Sequence, residues 1–299
     1  MKHILVLIFL SFSFLAQAKI KVVTTTPDLA WLVNQIGTNK VEVISLLNGT
    51  EDPHYVDAMP NWISKVSNAD VFCFVGMDLE VGWAPKVLSR SGNAKVQPGG
   101  KGHCNGGKTV KALDIPKGKI DRSMGDMHGE GNPHYHLGPT FYLQAAESIF
   151  STLIEVDTKN VEFYSANLDK LKVKISKIKD KVAALLKSKS GIRIMSYHKE
   201  FSYFFKDFNL VSASSIEETP GVPPSAGRIA RVGLQAKRDK IDLVLGTTAN
   251  PKNILDKFNE ISGVPVAIVP LSIKLTGSPS NYEELLVNLA NLILENARE

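Results

Sequence analysis

Between residues 161 and 185 the apolar side chains Val161, Tyr164, Leu168, Leu171, Ile175, Ile178, Val182 and Leu185 recur at intervals of 3, 4, 3, 4, 3, 4 and 3. Lysine and aspartate occupy most of the intervening positions. Such spacing places every apolar group on one face of a helix and on no single face of a strand. About 26 residues at 1.5 Å each make a helix about 39 Å long, the span of a whole domain. Asp157 or Thr158 can cap its start, and Gly191 lies just beyond its end. A stripe of this kind has two homes, the seam of a coiled coil or a single helix tying two lobes together. A chain of 299 residues is long enough for two ordinary domains, so the second arrangement is open to it.

The flanking segments favour two α/β units. Before the stripe, residues 20–26 (IKVVTTT), 41–47 and 70–75 read as strands, with helical segments at 27–36 and 61–68. After it, 192–197, 210–214, 241–245 and 266–269 read as strands, and 285–297 as an amphipathic terminal helix. Strands alternating with helices predict parallel sheets with crossovers. Residues 97–133, with nine glycines and three prolines, read as a long loop region. The fold class is therefore α/β: two lobes with parallel-type sheets flanked by helices, joined by one long backbone helix. The expected boundaries are 19–157 for the first lobe, 158–187 for the linking helix and 188–299 for the second lobe. No sequence repeat relates the halves.

Residues 1–18 differ from the rest. Lys2 gives a positive start, residues 4–16 are apolar apart from serines, and Ala16-Gln17-Ala18 offers small residues at a cleavage point. The apolar run is shorter than the ~20 residues a membrane span needs, so it reads as a secretory signal peptide. No cysteine lies near the cleavage point to carry a lipid. An exported, periplasmic protein is expected. Cys73 and Cys104 either pair in that oxidising compartment or remain buried thiols, and both readings stay open. A net charge of +5, with no block of five or six like charges, gives no footprint for nucleic acid.

Residues 102–109 (GHCNGGKT) fit the phosphate-loop pattern letter for letter. The mechanism needs a buried strand before the glycines and a helix after them. Gln97-Pro98-Gly99-Gly100 precedes the match and Pro116 follows it closely, so nucleotide binding is dismissed.

The histidines carry more. His54 lies in Glu51-Asp52-Pro53-His54-Tyr55 after a strand, and His198 closes the strand at 192–197. Loops at the carboxyl ends of strands face the binding crevice of an open α/β sheet. His134 and His136 lie in Asn132-Pro133-His134-Tyr135-His136-Leu137. Three neutral imidazoles make a zinc site with one open position.

The order of these words resembles that of the metal-binding substrate-binding proteins of bacterial ABC transporters, the TroA- and ZnuA-like zinc/manganese family. Asp52-Pro-His-x-Tyr, Asn132-Pro-His-x-x-Leu and His198 followed by Phe201 and Tyr203-Phe204 carry the likeness, with Val22-Val-Thr-Thr-Thr-Pro27, Tyr164-x-x-Asn167 and Pro223-Pro224-Ser225 in support. The resemblance implies two lobes on one rigid helix, a metal in the cleft, and His54, His134 and His198 as ligands. It implies Zn(2+) as transported cargo, an ABC permease as partner with a metallochaperone as a further candidate, a monomer, and no enzymatic activity. The family's fourth ligand, usually an Asp after the last strand, has no counterpart in Pro270-Leu271-Ser272-Ile273. Either water completes a three-histidine site or another group does. Glu217, Glu218 and Glu80 are candidates whose ordinary roles are a solvated loop and a cap. His136, set two residues from His134, would share its side of an extended segment. The sparse loop with Asp121, Asp126, His128 and Glu130 could collect metal weakly. A manganese or iron carrier would need a carboxylate ligand. An exported zinc hydrolase would need a general base, for which Asp52 is the acid within the histidine motifs. A surface adhesin would be indifferent to metal removal.

Overall fold

A computed structural model describes residues 18–118, 125 and 127–298. The expected leader up to Gln17 and the acids Asp121 and Asp126 lie outside the described residues. The first sheet holds β1 (Ile20–Thr24), β2 (Val41–Ser45), β3 (Val71–Phe74) and β4 (His103–Asn105), all parallel, in the order β2-β1-β3-β4. The second holds β5 (Arg193–Ser196), β6 (Val211–Ser215), β7 (Leu243–Gly246) and β8 (Val266–Ile268), in the order β6-β5-β7-β8. Each sheet thus runs outward from its first strand, then crosses to the other side. Two halves without a sequence repeat share one topology. Such a reversal opens a crevice at the carboxyl ends of the central strands.

Helices α1 (Pro27–Gly37), α2 (Pro60–Ser67), α3 (Ala84–Ser91) and α4 (Pro139–Val156) accompany the first sheet. The second is accompanied by α6 (Ser202–Asp207), α7 (Ala226–Arg238), α8 (Lys252–Ser262) and α9 (Tyr282–Asn296). Between them runs α5 (Val161–Leu186). It packs against α1 and α4 on one side and α9 on the other, so it is a spine and not half of a coiled coil. Its buried face takes Tyr164, Leu168, Leu171, Ile175, Ile178 and Val182 from the stripe. The ends differ: Val161 is exposed, and Leu186 is buried in place of Leu185. A 3.5-residue repeat drifts about 20° per heptad around a straight helix, so three heptads move the inward position toward the next residue. Asp157 does not cap the helix. It holds the preceding turn, accepting hydrogen bonds from Asn160 Nδ2 at 2.6 Å and the Tyr164 hydroxyl at 2.8 Å.

One hydrophobic core passes through the spine. It includes Val22 and Val71 from the first sheet, Leu171 and Ile175 from α5, Ile194 and Leu243 from the second sheet, and Leu286 from α9. Buried Asn167 donates to the Ile36 carbonyl at 3.0 Å, satisfying a carbonyl in the last turn of α1.

The glycine-rich stretch 97–133 is less irregular than its composition. It contains β4 and a short 3-10 turn over Gly106–Thr109. The phosphate-loop match therefore places a strand inside its loop and is followed, over the described residues 110–118, by no α-helix. Cys73 and Cys104 form a disulfide, facing each other in register across β3 and β4 with Cα atoms 4.4 Å apart.

Candidate metal centre

The carboxyl ends of both sheets face one cleft of about 600 Å³. Its N-terminal wall is the segment after β2 with His54, and the turn before α4 with His134 and His136. Its C-terminal wall holds His198 and Glu200 after β5, Thr247 to Asn250 after β7, and Pro270 to Ser272 after β8. His54, His134 and His198, far apart in the chain, meet here with one ring nitrogen each inside a cluster whose members lie within 4.8 Å of one another. Four ligands at 2.0–2.1 Å around a tetrahedral ion stand about 3.4 Å apart, so closing on an ion needs only a small contraction.

Each ring is held differently. His54 Nδ1 lies 2.6 Å from Asp52 Oδ1, which also accepts the His54 backbone N–H at 3.0 Å. His198 Nδ1 lies 2.9 Å from Glu217 Oε2. In both, a carboxylate takes the Nδ1–H and leaves Nε2 toward the cleft, the support that metal-bound histidines receive. His134 is buried, its backbone N–H donating to Asn132 Oδ1 at 3.0 Å. Asn132 is itself fixed, donating to the Lys199 carbonyl at 2.6 Å, so the two walls are tied beside the site. His134 Nε2 is buried with no hydrogen-bond partner. A buried polar atom left unpaired costs about 1–3 kcal/mol, which a fold sustains where a ligand repays it.

The electrostatics suit a cation. Burial, followed by the neighbouring His54 and His198 rings, holds the His134 pKa well below its ordinary value, so its lone pair is free. Burial also acts downward on His198, but the hydrogen bond to Glu217 and the charges of Glu200, Glu217 and Asp52 more than offset it and the pKa is raised. Burial pushes Asp52 up, yet the bonds and charge of His54 bring it below the usual carboxylate range. Glu200, raised by its burial, has a buried Oε2 without a partner.

Other expected candidates fall elsewhere. His136 is not placed by alternation in an extended segment, because residues 135–137 form a 3-10 turn. It nevertheless lines the cleft, with Nε2 2.7 Å from the Leu271 carbonyl. Glu217 supports His198, whereas Glu218 is exposed and 3.8 Å from Arg231. Glu80 is a buried brace accepting from Thr25 Oγ1 at 2.6 Å and the Val75 and Gly76 N–H groups at 2.7 and 3.1 Å. In the segment after β8, Ser272 Oγ and Ile273 N–H donate to Asp28 of α1, the latter at 3.0 Å. One residue of the site carries no signal in the sequence, and another carries more than its sparse loop suggests. Glu200 was hidden because nothing marks a lone acid in a loop. His128 was seen only as part of a sparse loop, but its Nε2 lies 3.1 Å from that of His54.

A family model, zinc-uptake complex component A (ZnuA), periplasmic, matches residues 22–296. The metal ABC transporter substrate-binding lipoprotein FimA of Streptococcus parasanguinis is 30% identical over 203 residues, covering 66% of this chain and 62% of its own. The manganese ABC transporter substrate-binding lipoprotein PsaA of Streptococcus pneumoniae is 25% identical, covering 83% and 78%. The chain thus spans less than two thirds of FimA but more of PsaA. Among solved structures, a deletion mutant of ZnuA with zinc bound aligns with a TM-score of 0.76 at 21% identity, covering 94% of this chain and 100% of that one. That likeness extends to the fold.

Proposed function

The chain belongs to the ZnuA family, whose members are metal-binding substrate-binding proteins of ABC transporters and not enzymes, and from that premise we propose that it captures Zn(2+) through His54, His134 and His198 and delivers it to an ABC permease. The observation that carries this reading is His134 Nε2, a buried lone pair with no protein partner in a cluster with two other imidazoles. Nitrogen donors select zinc over manganese, which prefers carboxylate oxygens. Asp52 and Glu217 orient the His54 and His198 rings toward the cleft between the lobes. In this reading residues 1–18 are removed on export, the protein acts in the periplasm as a monomer, and the lobes meet the linking helix at 158 and 187. A metallochaperone is a further partner. A hydrolytic zinc site does not fit a substrate-binding family.

Glu200 favours a second reading. Its unpaired buried oxygen lines the same cleft, and a carboxylate beside imidazoles suits manganese or iron. Titration of the stripped protein with zinc, with manganese or iron(II) in competition, separates the two. One tight zinc site, far weaker for the others and lost in His134→Ala, supports the zinc reading. Tight manganese or iron binding that is lost in Glu200→Gln establishes the second. No tight site for any of these ions overturns both.

A further inference from the structure

The turn after β3 is strained. Gly76, Met77 and Asp78 take φ values of 81°, 51° and 63°, the left-handed region that side chains other than glycine enter at a cost. At Gly76 a Cβ would lie 2.2 Å from Asn105 Oδ1, so only glycine can start this turn beside β4. The turn holds the segment that carries His128. The Asp78 carboxylate accepts the Gly129 N–H at 3.1 Å, next to His128. The Gly131 N–H closes onto the His128 carbonyl at 3.2 Å.

These bonds bring the His128 ring to 5.2 Å from His54, centroid to centroid, with the two Nε2 atoms 3.1 Å apart. His54 Nδ1 is already committed to Asp52. The nitrogen that meets His128 is therefore the one His54 would offer to an ion. Two ligands of one tetrahedral zinc stand about 3.4 Å apart, so this pair is within a few tenths of an ångström of the spacing an ion imposes. His128 touches the three-nitrogen cluster through His54 and is not itself a member, so sharing one ion with all three would require its ring to turn inward.

We propose that His128 is the fourth ligand, supplying the donor that the segment after β8 lacks and completing a site of four imidazoles. The inference rests on the three-histidine reading above. It adds a chemical preference: a divalent cation of borderline softness held wholly by nitrogen, with harder, oxygen-seeking cations disfavoured.

The test loads zinc alone onto the full protein and onto His128→Ala, His128→Asn and His134→Ala. Ligands are counted by X-ray absorption and affinity is measured by chelator competition, with metal-free melting as the control for folding. The expected result is four nitrogens at about 2.0–2.1 Å in the parent protein. Both His128 variants should show three nitrogens and an oxygen, with affinity about 10-fold or more lower, since even outer-shell partners are worth that much. Three imidazoles and an oxygen in the parent protein, or unchanged affinity and ligand count in the His128 variants, would overturn the proposal while leaving the three-histidine site standing. Zinc binding that survives His134→Ala, or absence of a tight site in the parent protein, would instead bring down the underlying reading.

Discussion

Asp28 joins the lobes where α1 of the first points at the segment after β8 of the second. Its carboxylate is buried, accepting the Ile273 N–H at 3.0 Å and the Ser272 hydroxyl. In Asp28→Ala the hydroxyl keeps a partner, the Ile273 carbonyl at 3.1 Å. The Ile273 amide keeps none, and an orphaned buried N–H costs about 1–3 kcal/mol. Loss of a first-turn acid from α1 adds about 0.3–1 kcal/mol. Relief of the burial penalty on the carboxylate offsets part of this, leaving a net loss of about 2–3 kcal/mol. At about 2 °C per kcal/mol for a chain of this size, melting should fall by about 4–6 °C. Asp28→Asn keeps a carbonyl oxygen for the amide and should lose about half as much. Calorimetry of the metal-free protein gives the size of the effect, and hydrogen exchange at the Ile273 amide gives its location. A drop below about 1 °C, with that amide as protected as before, would refute the claim that this carboxylate fastens the second lobe to α1.

Replacing His134 by Leu removes an unpaired buried nitrogen, so the metal-free protein should melt no lower than the parent while the zinc-induced rise in melting temperature disappears; a metal-free loss above about 2 kcal/mol would contradict this. Zinc affinity should fall with acidity. The His198 pKa is raised above 6.5, so affinity is full above that raised value and declines as pH drops through it. His134, held low by burial, and His128, pushed down to about 3 by burial and by His54 and His198, add nothing to the slope near neutrality. Calorimetry in two buffers of different ionisation enthalpy should therefore count fewer protons displaced than imidazoles bound, and a constant affinity from about pH 7.5 to 5 would exclude the assignment. The Cys73–Cys104 bridge spans 31 residues, and chain entropy assigns such a loop about 3–4 kcal/mol. Cys73→Ala with Cys104→Ala should lower the denaturant midpoint accordingly, and an unchanged midpoint would show that β4 is held by packing alone.

The parts legible in the sequence were those with strong local signatures. The stripe on α5, the β-branched run of β1 and the short apolar runs at β3, β5 and β7 declare themselves through period and composition. Thr26-Pro27-Asp28 begins α1 with Thr26 Oγ1 accepting the Leu29 N–H at 3.4 Å. Helix α4 gave no such signal. Its 18 residues carry apolar groups around much of the circumference, because it packs on several neighbours, and amphipathic contrast disappears when a helix is that enclosed. Strand β4 has three residues and owes its place to pairing with β3, a contact no local window contains. The same division holds at the cleft. His54, His134 and His198 stand in recognisable words, whereas Glu200 and His128 acquire meaning only from what the chain brings beside them.

The core that threads α5 means that the two sheets are not separable modules. Leu171, Ile175 and Val182 lie in the same cluster as side chains from both sheets, so neither half could bury its share of the stripe without the other. A cut after residue 187 would leave one fragment with a bare greasy ridge and the other with nothing to cover α9. The molecule should therefore fold and unfold as one cooperative unit. Changes in such a protein should be tolerated best in the loops at the rim, because exchanging a whole lobe would tear the interior that both lobes own in common.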